Sequence, residues 1–124
     1  MTRRTRVLFV DDSADICDLY RRLLDTTDDL ECVGVRDSTE GLEAIVQQTL
    51  PDVAVIDLVG PGRNALDAIR STAIAHPACR IIAFSGHDDE STRDQVLDAG
   101  AWSLVSKQSD PAELLNEIRR VRAS

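Results

Sequence analysis

Short apolar runs alternate with amphipathic stretches along the whole chain. Five runs carry the pattern: RVLFV at 6–10, LECVGV at 30–35, DVAVI at 52–56, RIIAF at 80–84 and WSLV at 102–105. Three of them are continuously apolar and rich in β-branched residues, as expected of strands that helices cover on both faces. The pattern therefore predicts five strands of a parallel sheet.

The stretches after these runs have the spacing of helices, in which residues three, four and seven positions apart share a face. The longest face consists of Ile16, Leu19, Tyr20, Leu23 and Leu24. Shorter faces are formed by Leu42, Ile45 and Val46, by Leu66 and Ile69, and by Leu114, Leu115, Ile118 and Val121. A helix over 90–99 is predicted as well, although only Val96 and Leu97 there are large and apolar.

Turn-forming residues agree with these boundaries. Pro51 and Pro77 follow the second and third predicted helices, and the residue before a proline rarely stays helical. Gly100 suits the left-handed position that closes the fourth helix. The segment DPAE at 110–113 combines a capping acid, a first-turn proline and a capping-box glutamate, which predicts the start of the fifth helix.

Five predicted strands alternating with five predicted helices define the fold class. The connections are too short for anything but right-handed crossovers between parallel strands. We therefore predict an α/β fold, a doubly wound five-stranded parallel sheet flanked by five helices, in a single domain over residues 1–124. Ligands of such folds bind beyond the carboxyl ends of the strands, so the residues directly after each apolar run are the candidates for a site.

Composition and charge narrow the function classes. The net charge of −8 repels nucleic acid and anionic membranes, so direct DNA binding by this segment is not expected. Cys17, Cys32 and Cys79 stand far apart without a metal-binding spacing, which indicates buried free thiols in a reducing cytoplasm. The amino terminus has only four apolar residues in a row before two aspartates, which is too short for a signal peptide or a membrane span and favours a cytoplasmic protein.

Chemically active residues stand at four of the predicted strand ends. They are Asp11, Asp12, Asp57, Ser85 and Lys107. A strand-end acid is often only a helix cap, and Asp12 or Ser13 would fill that role before the first helix. Capping does not explain Asp57, because the residues after it do not begin a helix. Nor does it explain why acids and a lysine converge on one edge of the sheet.

Three carboxylates at one edge need a cation if all of them are to stay ionised. Mg²⁺ suits such a site, since it prefers oxygen ligands, one or two protein carboxylates and a substrate phosphate. Beside that ion, Asp57 could attack phosphorus as a carboxylate nucleophile. The Lys107 ammonium and the Ser85 hydroxyl would then stabilise the oxygens of the transferred phosphoryl group.

The loop after Asp57 allows a different interpretation, in which it binds a dinucleotide. The segment GPGRNA at 60–65 fits the G-x-G-x-x-A spacing that can bind a dinucleotide pyrophosphate. That fingerprint normally follows the first strand and needs an acid at the end of the next strand, which here ends at Ser85. Pro61 also lacks the N–H group that a phosphate would need. The sequence therefore favours Asp57 as the functional group and the glycines as a turn.

Taken in order, the strand-end residues resemble those of the receiver domain of bacterial two-component response regulators. The segments VLFVDDSADICDLYRRLL, PDVAVIDLVGPGRNALDAIR, IIAFSGHDD and DAGAWSLVSK carry the resemblance, which spans essentially the whole chain. It implies a flavodoxin-like, CheY-like fold with strand order 2-1-3-4-5. It further implies that the domain catalyses its own phosphorylation and slow dephosphorylation at Asp57, with Ser85 as the switch hydroxyl and Lys107 as the phosphate-pairing amine.

The resemblance also implies a metal site and partners. Asp12 and Asp57 would bind Mg²⁺ directly, Asp11 mainly through a water molecule, and Val59 through its main-chain carbonyl. A sensor histidine kinase would supply the phosphoryl group. The surface of the fourth helix, fifth strand and fifth helix would then control a downstream effector protein or a C-terminal output domain, and a phosphorylation-dependent homodimer would be compatible with this. The chain is either a stand-alone receiver or a piece of a longer regulator, for which the segment after Lys107 resembles LuxR-type proteins.

Three positions bear on how well such a switch works. Leu104 stands where the family usually carries Tyr or Phe, so it is either a plain core residue or a sign of weakened switching. Val59 is apolar beside the expected path of the hydrolytic water, which predicts slow self-dephosphorylation. His87 is either a solvated loop residue or a group that orients that water.

Two other function classes are a pseudo-receiver, which would act as a phosphorylation-independent interaction module, and an aspartate-nucleophile phosphatase, for which the chain lacks room for a cap insertion.

Overall fold

The computed structural model describes residues 3–59 and 64–124. Its elements alternate along the chain: β1 (Thr5–Val10), α1 (Ala14–Asp25), β2 (Leu30–Arg36), α2 (Leu42–Thr49), β3 (Val53–Asp57), α3 (Ala65–Ala75), β4 (Arg80–Ser85), α4 (Glu90–Ala99), β5 (Ser103–Ser106) and α5 (Pro111–Ala123). This alternation confirms the predicted fold class. The predicted glycine turn lies mostly outside the described residues, because these leave out residues 60–63.

The strands form one parallel sheet in the order β2-β1-β3-β4-β5, as predicted. β1 and β3 are neighbours, with Val10 beside Ile56, so the residues that follow these two strands emerge side by side. The strand order reverses at this pair, because β1 leads outward to β2 while β3 leads to β4 and β5. Open α/β sheets place their ligand sites at such a reversal.

Successive side chains of the strands enter two separate hydrophobic clusters, one on each face of the sheet. On one face, Leu8 and Ile56 pack with residues of α2, α3 and α4. On the other face, Phe9 and Phe84 pack with residues of α1 and α5. All five residues of β3 are buried, which explains why this strand reads as a continuous apolar run that ends in an acid.

Helix α1 shows where the apolar pattern misled. Its buried side chains are Cys17, Tyr20 and Leu24, which follow the i, i+3, i+7 spacing of one face. Leu19 was predicted to belong to this face, but it is 42% exposed. The prediction was wrong because it ignored Cys17, which packs like a small apolar residue. The buried face of α1 is centred on Cys17, Tyr20 and Leu24, and Leu19 lies at its edge, toward solvent.

The strand bounds and the cysteine prediction also need small corrections. β3 and β5 each begin one residue later than predicted, so Asp52 and Trp102 precede their strands. All three cysteines are free, but only Cys17 and Cys79 are buried, whereas Cys32 is partly buried at the outer strand β2. Burial raises the pKa of the Cys79 thiol to about 12, so this group stays protonated near neutral pH.

Gly100 closes α4 in the left-handed conformation, with a φ angle of 117°, as predicted. A Cβ atom added there would lie 2.7 Å from the Cβ of Ala73. We expect Gly100→Ala to lower the free energy of unfolding by about 1–3 kcal/mol, because it combines backbone strain with overpacking. Gly86→Ala is the matched control, since a Cβ there meets nothing within 4 Å. Urea unfolding of both variants checks this, and equal stabilities would contradict it.

Candidate functional site at the carboxyl edge of the sheet

The strand-end residues singled out in the sequence lie together at the carboxyl edge. Asp11 directly follows β1, Asp57 ends β3, and Ser85 ends β4. Lys107 directly follows β5, and its main-chain N–H donates to the carbonyl of Ser85 at 2.7 Å. Asp57 pairs in register with Phe84, so the phosphoacceptor candidate and the serine that follows Phe84 stand on neighbouring strand ends.

Lys107 joins two of the acids. Its Nζ lies 2.9 Å from Oδ2 of Asp11 and 2.9 Å from Oδ1 of Asp57. The side chains of these acids are 0% and 3% exposed, respectively, so the ion pairs are largely shielded from water. Burial alone would lower the pKa of Lys107, but hydrogen bonding to Asp11 and Asp57 outweighs it and raises the pKa. The ammonium is therefore firmly charged at neutral pH.

Asp57 is held in place but retains an oxygen for further bonding. Burial raises the pKa of its carboxyl above the ordinary value, although Lys107 and the main-chain N–H of Val59 oppose this. That N–H donates to Oδ1 at 3.1 Å. Within the described residues, Oδ2 of Asp57 is buried and has no hydrogen-bond partner. A buried carboxylate oxygen without a partner is costly, so it marks a place where a cation or an electrophile is accommodated.

The three acids form a group of oxygen ligands. Asp11, Asp12 and Asp57 each offer a carboxylate oxygen, and these atoms lie within 4.8 Å of one another. Asp12 is exposed, whereas Asp11 and Asp57 are buried. One ammonium balances only one of the three negative charges. The donor chemistry, the charge excess and the unpaired oxygen of Asp57 all fit a hard divalent cation such as Mg²⁺. The predicted part of the Val59 carbonyl stays a prediction.

Ser85 is oriented by its own loop. The side chain is almost fully buried, and its Oγ accepts a hydrogen bond from the main-chain N–H of His87 at 3.0 Å. This contact uses a lone pair and leaves the hydroxyl proton to be donated elsewhere. His87 is itself exposed, and so is Val59, at 65%. Their predicted effects on the hydrolytic water remain predictions.

Leu104 packs inward, in the cluster beneath α3 and α4, and is 5% exposed. Of the two packing directions open to this leucine, the structure therefore selects the core. Trp102 does not bring its ring into the core, because the side chain is 45% exposed and lies under the guanidinium of Arg80, 4.4 Å from the ring centroid. The weakened switching that Leu104 could indicate stays a prediction.

Two neighbours of the site were not predicted from the sequence. Cys17 donates from its Sγ to the main-chain carbonyl of Asp11 at 3.2 Å, which ties α1 to the end of β1. Phe84 lies beneath the site, with its ring centroid 5.6 Å from Nζ of Lys107. The contact between Lys107 and Asp11 was not predicted either, and the mainly water-mediated role of Asp11 toward a metal ion stays a prediction. Both neighbours had looked like ordinary core residues.

The open parallel sheet with a lysine-bridged acidic cluster at its reversal point defines a receiver-type signalling domain, and the comparisons agree. A family model described as "Response regulator receiver domain" matches residues 7–119. The chain therefore belongs to the response regulator receiver domains of two-component systems.

Curated relatives extend beyond this domain. The chain is 40% identical over 104 residues to protein-glutamate methylesterase/protein-glutamine glutaminase 5 of Myxococcus xanthus (strain DK1622), covering 82% of this chain and 30% of that protein. It is 32% identical over 118 residues to response regulator GacA of Pseudomonas viridiflava, covering 95% of this chain and 55% of that protein. The chain thus spans about a third to a half of these relatives.

Solved structures share the fold closely. A LuxR-family two-component response regulator from Aurantimonas sp. SI85-9A1 is 31% identical, with a TM-score of 0.90 over 97% of this chain and 86% of that one. The receiver domain of NarL from Mycobacterium tuberculosis has a TM-score of 0.92 at 23% identity, over 99% of each chain.

Across the described residues, none of the helices has both the length and the apolar character that a bilayer crossing demands.

Proposed function

We propose that this single domain is a phosphoacceptor receiver in which Asp57 takes a phosphoryl group from the phosphohistidine of a sensor kinase. The observation that carries the proposal is the buried Asp57 carboxylate, which contacts Lys107 through Oδ1 while its Oδ2 has no partner among the described residues. A purely structural acid would be expected to have both oxygens satisfied. This acid is fixed in position yet keeps capacity for chemistry.

The reaction is a transfer between two nucleophiles. A carboxylate oxygen of Asp57 attacks the phosphorus atom, an O–P bond forms, and the P–N bond to the kinase histidine breaks. The electron pair of that bond goes to the imidazole nitrogen, and the ring leaves as neutral imidazole because its other nitrogen already carries a proton. The main-chain N–H of Val59 holds Asp57 through Oδ1 during the attack.

Lys107 and Ser85 stabilise the transferred group. The ammonium already lies at hydrogen-bonding distance from Asp57 and moves with the negative charge as this spreads over the phosphoryl oxygens. Ser85 has a free hydroxyl proton, because its hydrogen bond from His87 uses the oxygen only as an acceptor. Both residues therefore gain contacts that exist only after phosphorylation.

Asp11, Asp12 and Asp57 would hold Mg²⁺, together with the main-chain carbonyl of Val59. When bound, the ion neutralises negative charge on the acids and on the incoming phosphate. The charge excess of the three acids over the single ammonium supports this assignment.

Phosphorylation would act as a two-state switch. The new group adds roughly −1.5 to −2 charges and strong acceptor oxygens, for which Lys107 would exchange its contact with Asp11. Moving a two-state equilibrium from 1:99 to 99:1 requires about 5.5 kcal/mol of differential contact. The surface of α4, β5 and α5 would carry the change to a downstream effector, to an output domain in a longer regulator or to a phosphorylation-dependent homodimer. The chain covers 55% of response regulator GacA and resembles a LuxR-family regulator, which supports an output domain in a longer regulator.

Acyl-phosphate labelling tests the proposal. Incubation with a small acyl phosphate and Mg²⁺ is expected to add one phosphoryl group, seen by intact mass, and peptide mapping should locate it at Asp57. Asp57→Asn should abolish uptake, because an amide is not a competent nucleophile. Asp28→Asn is the control, since Asp28 is an exposed acid at the opposite edge of the sheet.

The outcomes separate the function classes. Equal labelling of the Asp57→Asn variant at another residue would overturn the site assignment. A correctly folded protein that takes up no phosphoryl group would identify a pseudo-receiver instead. Undiminished uptake after removal of divalent cations with a chelator would contradict the metal site while leaving the phosphoacceptor intact.

A further inference from the structure

A groove of about 430 Å³ opens at the amino-terminal edge of the sheet, opposite the acidic site. It lies between the end of α2 and the loop that joins α3 to β4. Its walls are mainly aliphatic and proline side chains: Leu50, Pro51, Ala75, Pro77 and Ala78. The three residues from the α3–β4 side are exposed, so this apolar surface faces solvent. Nothing in the phosphoacceptor chemistry requires it.

Leu50 gives this groove an unusual feature. It is the residue that closes α2, and it adopts the left-handed conformation with φ of 48° and ψ of 58°. Among the described residues it is the only non-glycine with positive φ. Glycine or asparagine adopts this conformation at lower cost, so a leucine here is unfavourable for folding. Its side chain is nevertheless 65% exposed and gains little from burial. Backbone strain that holds an apolar side chain in solvent points to a binding role.

Two guanidinium groups share one carboxylate at the positive rim of the groove: Arg3 and Asp52 line the groove, and Arg122, which is outside that lining, lies beside Asp52. Asp52 is the only acid among the described lining residues of the groove. Its Oδ1 lies 2.7 Å from a guanidinium nitrogen of Arg3 and 3.7 Å from Nε of Arg122, while its Oδ2 accepts from the main-chain N–H of Arg6. One carboxylate cannot neutralise two guanidinium groups, and each of these has five N–H donors. Both arginines are about half exposed or more, so donors remain for a ligand.

The position of Arg122 is fixed by the fold. Arg80, the first residue of β4, donates through Nη1 to the main-chain carbonyl of Val121 at 2.6 Å and to that of Arg122 at 3.1 Å. These bonds reach two carbonyls at the carboxyl end of α5, and the carbonyl of Val121 also accepts from the main-chain N–H of Ser124 at 3.3 Å. They hold the end of α5, and with it Arg122, beside Asp52. The positive rim is therefore built into the structure.

From these observations we infer that the groove binds a short acidic peptide segment of a partner protein, with an aliphatic side chain seated against Leu50 and a carboxylate paired with Arg122. The charge complementarity is local, since the chain as a whole has a net charge of −8. A nucleic acid fits less well, because a phosphate backbone would meet few cations, an apolar floor and overall repulsion. The site is distinct from the phosphoacceptor and does not depend on it.

A peptide titration of the full 124-residue protein, followed by its amide signals in NMR, tests the inference. The probe is a short synthetic peptide of alternating Glu, Asp and Leu residues. Saturable shifts are expected for residues 46–52 and 75–79. Replacing Leu by Ser in the peptide, or its acids by the amides, should weaken binding about tenfold each, because apolar anchor and charge act together.

Two variants and a control sharpen the test. Leu50→Asn should keep the fold, since asparagine tolerates the left-handed conformation, while weakening binding about tenfold. Arg122→Gln should weaken it about threefold, as expected for a half-exposed charge pair. Leu19→Gln is the control, because Leu19 is an exposed leucine far from the groove, and it should bind as the wild type does.

Four results would overturn the inference. They are the absence of shifts in the groove, equal binding of the leucine-free peptide, a DNA duplex that moves the same signals more strongly, and groove signals that move with protein concentration alone. The last two would identify a phosphate ligand and a second copy of the chain, respectively, as the occupant.

Discussion

Lys107→Met is expected to lower the free energy of unfolding by about 3 kcal/mol in metal-free buffer at neutral pH. The ammonium lies 2.9 Å from a carboxylate oxygen of each of two buried acids, Asp11 and Asp57. Removing it leaves both carboxylates buried, close together and without a counter-charge. Removing one partner of a buried ion pair costs about 3–5 kcal/mol, and the 26% exposure of the lysine side chain places the expectation at the lower end.

A double-mutant cycle isolates this effect. Urea unfolding of wild type, Lys107→Met, Asp57→Asn and the double variant gives the coupling between the two residues. Lys107→Met should cost less in the Asp57→Asn background, because one of the two stranded charges is then absent. Saturating Mg²⁺ should also reduce the cost of Lys107→Met, because the ion would supply the missing positive charge. At a Mg²⁺ concentration of about a hundred times its dissociation constant, the ion should stabilise the wild type by about 2.7 kcal/mol. A cost for Lys107→Met that is the same in all backgrounds would show that the lysine acts through packing alone.

The pH dependence has a definite sign. Burial raises the pKa of folded Asp57 above its unfolded value, so the folded state binds this proton more tightly. Protonation of Asp57 therefore stabilises the folded state. This contribution is fully present below the pKa that Asp57 has in the unfolded chain, and it is lost as the pH rises through the pKa that Asp57 has in the folded protein. In metal-free buffer, Asp57→Asn should therefore be more stable than wild type near neutral pH, and the difference should shrink as the pH falls. A difference that grows toward acid pH would contradict the direction of the pKa shift.

The strand-end residues show why so much of this site was predictable. Strand β3 is buried on both faces, so its sequence is apolar until the chain reaches the edge, where Asp57 stands out. The same holds for β1 and β4, which end before Asp11 and at Ser85. Parallel strands bring their carboxyl ends to one edge whatever their side chains are, so placing the residues required only the correct strand order.

What escaped prediction depends on side-chain partners rather than on periodicity. The bridge from Lys107 to Asp11, the thiol of Cys17 on the Asp11 carbonyl, and the inward packing of Leu104 are all choices among rotamers that the sequence permits equally. Leu19 was misplaced for a related reason, because a helix face defined by large apolar residues ignores a buried cysteine. The strained Leu50 gave no sequence signal, since a leucine before a proline is ordinary in composition.

Phe84→Ala is expected to cost about 3–5 kcal/mol of unfolding free energy, which is a large share of the roughly 5–15 kcal/mol that stabilises a typical domain. Phe84 is 1% exposed and contacts the other two rings of its cluster, with centroids 5.8 Å from Phe9 and 5.6 Å from Tyr20, both edge to face. With aromatic residues making up only 3% of the chain, few other side chains could fill the cavity. Phe84→Leu is the matched control and should cost less than about 2 kcal/mol, because most of the volume is kept.

Phe84 also connects the core to the site, so its loss should affect chemistry as well as stability. Its carbonyl accepts from the main-chain N–H of Leu58 at 3.2 Å, directly after Asp57, and its ring lies beneath Lys107. Urea unfolding measures the stability of both variants, and acyl-phosphate uptake under folding conditions measures the site. We expect Phe84→Ala to take up phosphate more slowly than Phe84→Leu, because the lysine then loses the surface that positions it over Asp57. Equal uptake rates in the two folded variants would show that Lys107 is positioned by its ion pairs with the acids and that the ring beneath it contributes only to the core.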